Sequence, residues 1–233
     1  MKHLIFAPYA TDLDQLDTIK ELHSSVFKKF GLEVIQVPFS PTEYHAAVLE
    51  KILRSQTESW DYVTFFDIDS IPIAHDTIPR ALEIVKDKNT IYGNAQASNV
   101  FDINPHKTPP FAAPSFLTFS YEIWQKSLGI INRNIFSPRV DYPNPDGNPT
   151  ETDVAEVFTR EHEKLGTSIK LAYPIYTMRY DLTWKYGGYF GYPKFQYGNG
   201  TIFESLTYHN FQIRFPDKQH HFIDYCNYLL DRL

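Results

Sequence analysis

The stretch Tyr62-Val63-Thr64-Phe65-Phe66-Asp67-Ile68-Asp69-Ser70 decides the reading of this chain. Its first five residues are the apolar, aromatic and β-branched run of a buried strand, and it ends on an acidic cluster. If the strand runs on, residues two apart share a face, so the carboxylates of Asp67 and Asp69 converge at its carboxyl end. Open α/β sheets bind their ligands at that end of a central parallel strand. Two buried negative charges side by side are costly unless a cation lies between them. A hard divalent cation takes oxygen ligands and keeps positions free for substrate phosphates, so the pair predicts a metal site that holds a diphosphate. The alternative is a strand that stops at Phe66, with Pro72 close behind and both acids as solvated turn formers. The apolar lead-in and the placement of Ile68 between the acids favour the site.

Outward from this stretch the pattern alternates. Leu4 to Ala7 reads as a short buried strand interrupted by Pro8. Leu13, Leu16, Ile19, Leu22, Val26 and Phe30 recur at helical spacing, predicting a helix over 12–30 closed by Gly31. A strand over 33–37, a helix over 42–54, the strand 62–66, a helix over 78–87 and a strand over 90–92 follow. This is the pattern of a parallel sheet covered on both faces by helices, an α/β fold. Beyond it, 104–114 holds four prolines and reads as a loop. A strand over 115–119 leads to a helix over 121–128 with Ser120 as its cap and Gly129 at its close. A second loop spans 138–149. A helix over 150–165, a strand over 168–173, a Tyr- and Gly-rich segment over 187–200, a late strand over 208–215 and a closing helix over 217–233 complete the chain. No repeat or linker divides it, so one domain over 1–233 is expected.

Composition sets the bounds. There are 22 Lys and Arg against 28 Asp and Glu, a net charge of −6, which argues against a partner built on phosphate backbones and so against nucleic acid. The single cysteine, Cys226, excludes an internal disulfide and a thiolate zinc cluster. The early apolar run is too short for a signal peptide or a membrane span, so a soluble cytoplasmic protein is expected. Aromatics at 16% suit sugar rings and nucleobases, and an ordinary core equally.

Asp67-Ile68-Asp69 resembles the DxD motif of GT-A-fold glycosyltransferases, and the likeness extends over most of the chain. The resemblance implies a single GT-A-like α/β domain with a mostly parallel central sheet flanked by helices. Residues 1–100 form its nucleotide-sugar-binding half and 101–233 its acceptor-binding half. It further implies a metal-dependent transfer of sugar from a nucleotide-diphosphate donor, UDP-sugar by preference, to a glycan or other hydroxyl-bearing acceptor, with Mn²⁺ or Mg²⁺. Asp69 is the principal metal ligand, Asp67 the second, and Ile68 sits between them at the donor. His209, on the late strand, has the character and order of the third ligand; His220 and His221 read as a surface pair. Pro8, Tyr9, Ala10 and Thr11 receive the nucleotide base, with Tyr9 stacking and Thr11 and Asp12 hydrogen-bonding.

The segment Thr150-Glu151-Thr152-Asp153 resembles the acidic element from which such enzymes take a base, which makes Asp153 the catalytic candidate. A helix cap formed by Thr150 and Asp153 accounts for the same residues. Residues 113–120 with Trp124 resemble the floor of the sugar site. Tyr186, Tyr189, Tyr192 and Tyr197 suit a lid or stacking platform, or a hairpin packed on its own aromatics. Arg214 and Lys218 are the cations nearest His209 in sequence. Two other classes compete. An apolar strand ending in D-x-D also opens phosphohydrolases of the HAD type, with Asp67 as phosphorylated nucleophile and Asp69 as acid/base. Against that reading, the Thr expected two residues after the second Asp is Ile71. The other class is a non-catalytic sugar- or nucleotide-binding protein.

Overall fold

Alternation along the strands sets the layers of the computed structural model, which describes residues 1–96, 110–129, 134–140, 152–179, 199–211 and 213–232. In β1 (His3–Ala10), Ile5 and Tyr9 enter one apolar cluster while Leu4 and Phe6 enter another on the opposite face. β3 (Tyr62–Phe66) does the same, with Tyr62 and Phe66 on the first face and Val63 and Phe65 on the second. α1 (Leu16–Lys29), α3 (Thr77–Ile84) and α6 (Pro216–Arg232) cover the first face. α2 (His45–Arg54) and α5 (Glu156–Lys164) cover the second, with α4 (Tyr121–Ser127) beside them. The fold is α/β, a central sheet flanked by helices, as the alternation predicts.

That sheet has six strands in the order β2-β1-β3-β6-β5-β7, adding β2 (Ile35–Phe39), β5 (Thr90–Gln96), β6 (Phe111–Ser120) and β7 (Ser168–Ala172). β1 pairs in parallel with β2 and β3, and β5 with β7. β6 runs antiparallel to both β3 and β5, so an antiparallel strand sits inside the expected parallel array. β6 also begins at Phe111, within the segment read as a proline loop. Pro114 is accommodated because the β5–β6 register jumps from Gly93↔Leu117 to Asn94↔Ala113, leaving the residues between without partners on β5. Gly93 is required at that bulge, since a Cβ there would lie 2.7 Å from the Phe116 carbonyl oxygen. Pro8 likewise does not break β1. The Thr11 N–H donates to Phe39 O, so odd residues face β2 and the nitrogen of Pro8 faces the β3 side, where pairing has ended at Phe6.

Helix boundaries differ from expectation for local reasons. α1 closes on Gly31 at φ 71, with Leu32 N–H donating to Phe27 O and Gly31 N–H to Lys28 O. It opens at Leu16 instead of Asp12 because a Leu13–Leu16 turn precedes it. α2 opens at His45 because Ser40 and Glu43 close their own turn, Glu43 accepting the Ser40 N–H at 3.0 Å. Ser120 stands at the start of α4, but its hydroxyl donates to Lys88 O instead of capping the helix. α5 begins at Glu156, after Ala155 at φ 66, so Asp153 lies ahead of the helix. Thr150 and Glu151 lie outside the described residues, as do Tyr186, Tyr189, Tyr192 and Tyr197.

A second, antiparallel sheet was not anticipated. Its order is β4-β10-β9-β8, from β4 (Ser70–Pro72), β8 (Pro174–Arg179), β9 (Asn199–Phe203) and β10 (Thr207–His209). The β9–β10 turn places Glu204 and Ser205 at φ 47 and 58, the left-handed pair of a tight hairpin. Tyr92 OH donates to Glu204 Oε2 and Glu204 N–H to Tyr173 O, which hold the turn. A buried polar bond joins the two sheets, Thr207 Oγ1 donating to Asn94 Oδ1 at 2.9 Å, and Asn94 Nδ2 is held in turn within the first sheet by donating to Ser115 Oγ at 3.2 Å.

Candidate metal centre and its cavity

β3 stops at Phe66, and Asp67 to Asp69 form a turn closed by the Ser70 N–H on Asp67 O at 2.9 Å. Convergence of the two acids therefore comes from a turn, not from strand alternation. They are not solvated turn formers either, since Asp69 is only 5% exposed and Asp67 is half-buried. The chain leaves this turn directly into β4, whose antiparallel partner is β10. In that register His209 lies opposite Ser70, one residue from Asp69. The Asn210 N–H donates to Asp69 O at 2.9 Å and locks the two strand ends together.

The result is a three-residue cluster. His209 Nε2 lies 3.3 Å from Asp69 Oδ1 and 3.9 Å from Asp67 Oδ2, and the candidate ligand atoms of Asp67, Asp69 and His209 all fall within 4.8 Å of one another. On the far side of Asp67, His45 Nε2 stands 3.4 Å from Oδ1. Burial pushes the Asp67 carboxyl above the ordinary carboxylate range, and the Asp69 charge adds to this against the pull of His45 and His209. Burial pushes Asp69 upward too, but the His209 imidazole, by charge and by hydrogen bond, holds it below that range. Beneath the turn, burial drives His23 down to about 3, so it packs as a neutral ring against Phe27.

Two carboxylates and one imidazole, close together and largely out of water, are an oxygen-rich donor set that fits a divalent cation. His209 Nδ1 is buried without a hydrogen-bond partner among the described residues, so none of their carbonyls or carboxylates fixes its second nitrogen. The cluster opens on a cavity of about 340 Å³. One wall is the end of β1, Pro8 to Ala10; Leu13, Phe39 and His45 line it too, as do Ile68 and the segment Phe211, Ile213, Arg214 and Phe215. The cavity is thus acidic at the turn, apolar over most of its remaining wall, and has Arg214 at its edge.

Other sequence-derived sites fall differently. Thr11 and Asp12 are exposed and outside the lining, because the Thr11 N–H extends the β1–β2 ladder. Tyr9 lines the cavity while Lys20 Nζ occupies one side of its ring at 5.0 Å from the centroid. Trp124 is 2% exposed and stacked on Phe136 in the core of the second face, so it floors no cavity. Lys218 pairs with Asp217 at 3.2 Å and does not line the cavity. His220 is exposed, as expected of a surface residue, while His221 is half-buried, the two rings tilted with centroids 3.8 Å apart. Asp153 is half-buried and does not line the cavity. Its Oδ2 accepts from Gln96 Nε2, its Oδ1 accepts the Val154 N–H at 2.7 Å, and its own N–H donates to Glu156. Burial raises it to about 6, with smaller pushes from Glu156 and Asp67.

His45, Phe39 and Phe211 escaped the sequence reading. Nothing local marks His45; only the knowledge that the α2 start sits beside the β3 end would find it. Phe211 takes φ 48, rare for a bulky residue, and its ring lies tilted against His209 with centroids 3.7 Å apart.

No family model matches this chain, and no curated protein matches it in sequence. Solved structures do. The catalytic domain of Drosophila β1,4-galactosyltransferase 7, in complex with xylobiose, is 12% identical over 73% of this chain at a TM-score of 0.44. The Pyrobaculum calidifontis mannosyltransferase PcManGT, in complex with GDP-mannose and Mn²⁺, is 15% identical over 73% of this chain at 0.42. This chain spans 64% and 54% of those two chains. A glycosyltransferase involved in glycosylating the major capsid of the virus PBCV-1 is 11% identical, over 95% of this chain and 99% of its own, at 0.49. These three glycosyltransferase structures are what the chain is similar to in fold.

Proposed function

We propose that this chain is a glycosyltransferase that moves a sugar from a nucleotide-diphosphate donor, UDP-sugar by preference, to a hydroxyl-bearing acceptor such as a glycan. One observation carries the reading. Asp67, Asp69 and His209 converge, by way of two different sheets, at the mouth of a cavity that is otherwise mainly apolar. In this reading Asp67, Asp69 and His209 hold Mn²⁺ or Mg²⁺. When bound, the cation supplies Lewis-acid stabilisation of charge on the departing nucleoside diphosphate.

The remaining roles belong to the chain's own side chains. Pro8, Tyr9 and Ala10 with Phe39 offer the flat apolar wall that suits a nucleobase. Arg214 offers positive charge to phosphate oxygens at the cavity edge. Asp153, raised to about 6, is the proposed base that accepts the acceptor's hydroxyl proton, since a base poised near the working pH does this best. Its carboxylate already accepts two hydrogen bonds, which orient it and leave further lone pairs. Among the described residues no helix is long and apolar enough to cross a membrane.

The test is a panel of nucleotide sugars followed by thermal shift and by sugar transfer, with and without Mn²⁺. The midpoint should rise only when metal and donor are both present. Asp69→Asn should lower turnover by about three orders of magnitude or more while circular dichroism stays native. Full activity of that variant in excess EDTA would refute the reading. Phosphate release from simple phosphomonoesters, without nucleotide-sugar binding, would favour the phosphohydrolase instead.

A further inference from the structure

We infer that His45 is a positioning residue for the cation site: its Nε2–H holds one oxygen of Asp67, so that the other is presented to the cluster. The inference rests on the metal reading given above. Asp67 Oδ1 and His45 Nε2 are both sealed from solvent, and among the described residues neither has a hydrogen-bond partner of good geometry. They stand 3.4 Å apart, while Asp67 Oδ2 lies on the side of His209. A buried carboxylate oxygen without a donor is costly, and the described residues bring no other cationic side chain within ion-pair distance of Oδ1. The two atoms are therefore each other's partner, and the contact needs only a small movement to become a hydrogen bond.

The surroundings of His45 fix the direction of its N–H. The imidazole lies parallel to the ring of Phe39, with an interplanar angle of 4° and centroids 5.9 Å apart. Phe39 is the last residue of β2 and His45 the first of α2, so both ends of one short connection clamp the ring plane. Facing a carboxylate oxygen, Nε2 must carry the proton, which sets the Nε2–H tautomer. A carboxylate held in this way on one oxygen offers the other as a single-atom ligand in a fixed direction. Outer partners of this kind tune metal affinity although they never touch the ion.

Three variants and two measurements test this. His45→Phe keeps an aromatic ring against Phe39 and removes the donor; His45→Gln restores an N–H donor; Asp67→Ala removes the acceptor. With Mn²⁺ alone as probe, followed by electron paramagnetic resonance, His45→Phe should weaken binding roughly 10- to 100-fold and His45→Gln should recover part of the loss. In the Asp67→Ala background, adding His45→Phe should change little. Nitrogen-15 NMR of the metal-free protein should show the Nε2–H tautomer of His45, a preference that Asp67→Ala abolishes. Mn²⁺ binding by His45→Phe equal to wild type, or its full loss repeated on top of Asp67→Ala, overturns the inference. A wild-type protein that binds Mn²⁺ without the tautomer preference overturns the pairing alone. One that shows the preference yet binds no Mn²⁺ overturns the cation reading and leaves the His45–Asp67 pair standing.

Discussion

The candidate centre draws its acids from the turn that leads out of the six-stranded sheet into the four-stranded one, and its imidazole from the four-stranded sheet, and the two sheets are stabilised by different means. The six-stranded sheet is held by dry aromatic packing. Phe65, Phe119, Phe136 and Phe158 interlock with centroids 4.8 to 6.2 Å apart, all fully buried. The four-stranded sheet has short strands, a hairpin turn with two non-glycine residues at positive φ, and buried polar bonds through Thr207 and Asn94. Apolar packing tolerates small shifts; a hydrogen-bonded partner has to be met at the right distance. The sheet that brings His209 is thus specified by polar fit, and the sheet whose β3 leads into the turn of Asp67 and Asp69 by volume.

Four substitutions would break or sharpen that contrast. Phe119→Ala, in the dry core, should cost about 3–5 kcal/mol of unfolding free energy in urea titration. It should leave metal affinity intact at temperatures where the variant remains folded. Thr207→Val keeps the shape and removes the donor to Asn94, so about 1–3 kcal/mol should be lost. Here, unlike Phe119→Ala, Mn²⁺ affinity should fall as well, because β10 carries His209.

Asp153 gives the third test. Its folded pKa lies above the unfolded value, so its contribution is fully present below about pH 4 and is lost as pH rises through about 6. Asp153→Asn should therefore be the more stable protein at pH 7, by on the order of 1–2 kcal/mol, with the gap closing near pH 4. If Asp153 is the base, wild-type kcat/KM rises with pH through about 6 and the variant's profile loses that limb. Smallest is Ser205→Gly, which relieves a left-handed residue and should stabilise by about 1 kcal/mol in thermal denaturation.

Much of the first half could be read from residues alone. Tyr62–Phe66 is observed with the boundaries expected, Gly31 ends α1 at the positive φ that only glycine takes without cost, and the apolar spacing of α1 matches its buried face. What stayed hidden has physical causes. An apolar run such as Phe116 to Phe119 carries no mark of its direction, so β6 was not recognisable as antiparallel. The β9–β10 hairpin carries Glu204-Ser205 where such turns favour Asn and Gly, so its usual signal is missing. Of the candidate centre, the acidic pair was visible locally, but the geometry that joins it is a turn and not an extended strand. His209 was nominated by resemblance, and His45 depends on a neighbour distant in sequence.

The position of β6 bears on how the chain acquires its shape. Phe111–Ser120 is wedged between β3 and β5, and neither flanking ladder touches the other. Two partial sheets must therefore wait for a segment that lies some 45 residues beyond β3, a closure whose entropic cost precedes its reward. Refolding should be slow for a protein of this size, with the last strand to insert acting as the zip between the two halves.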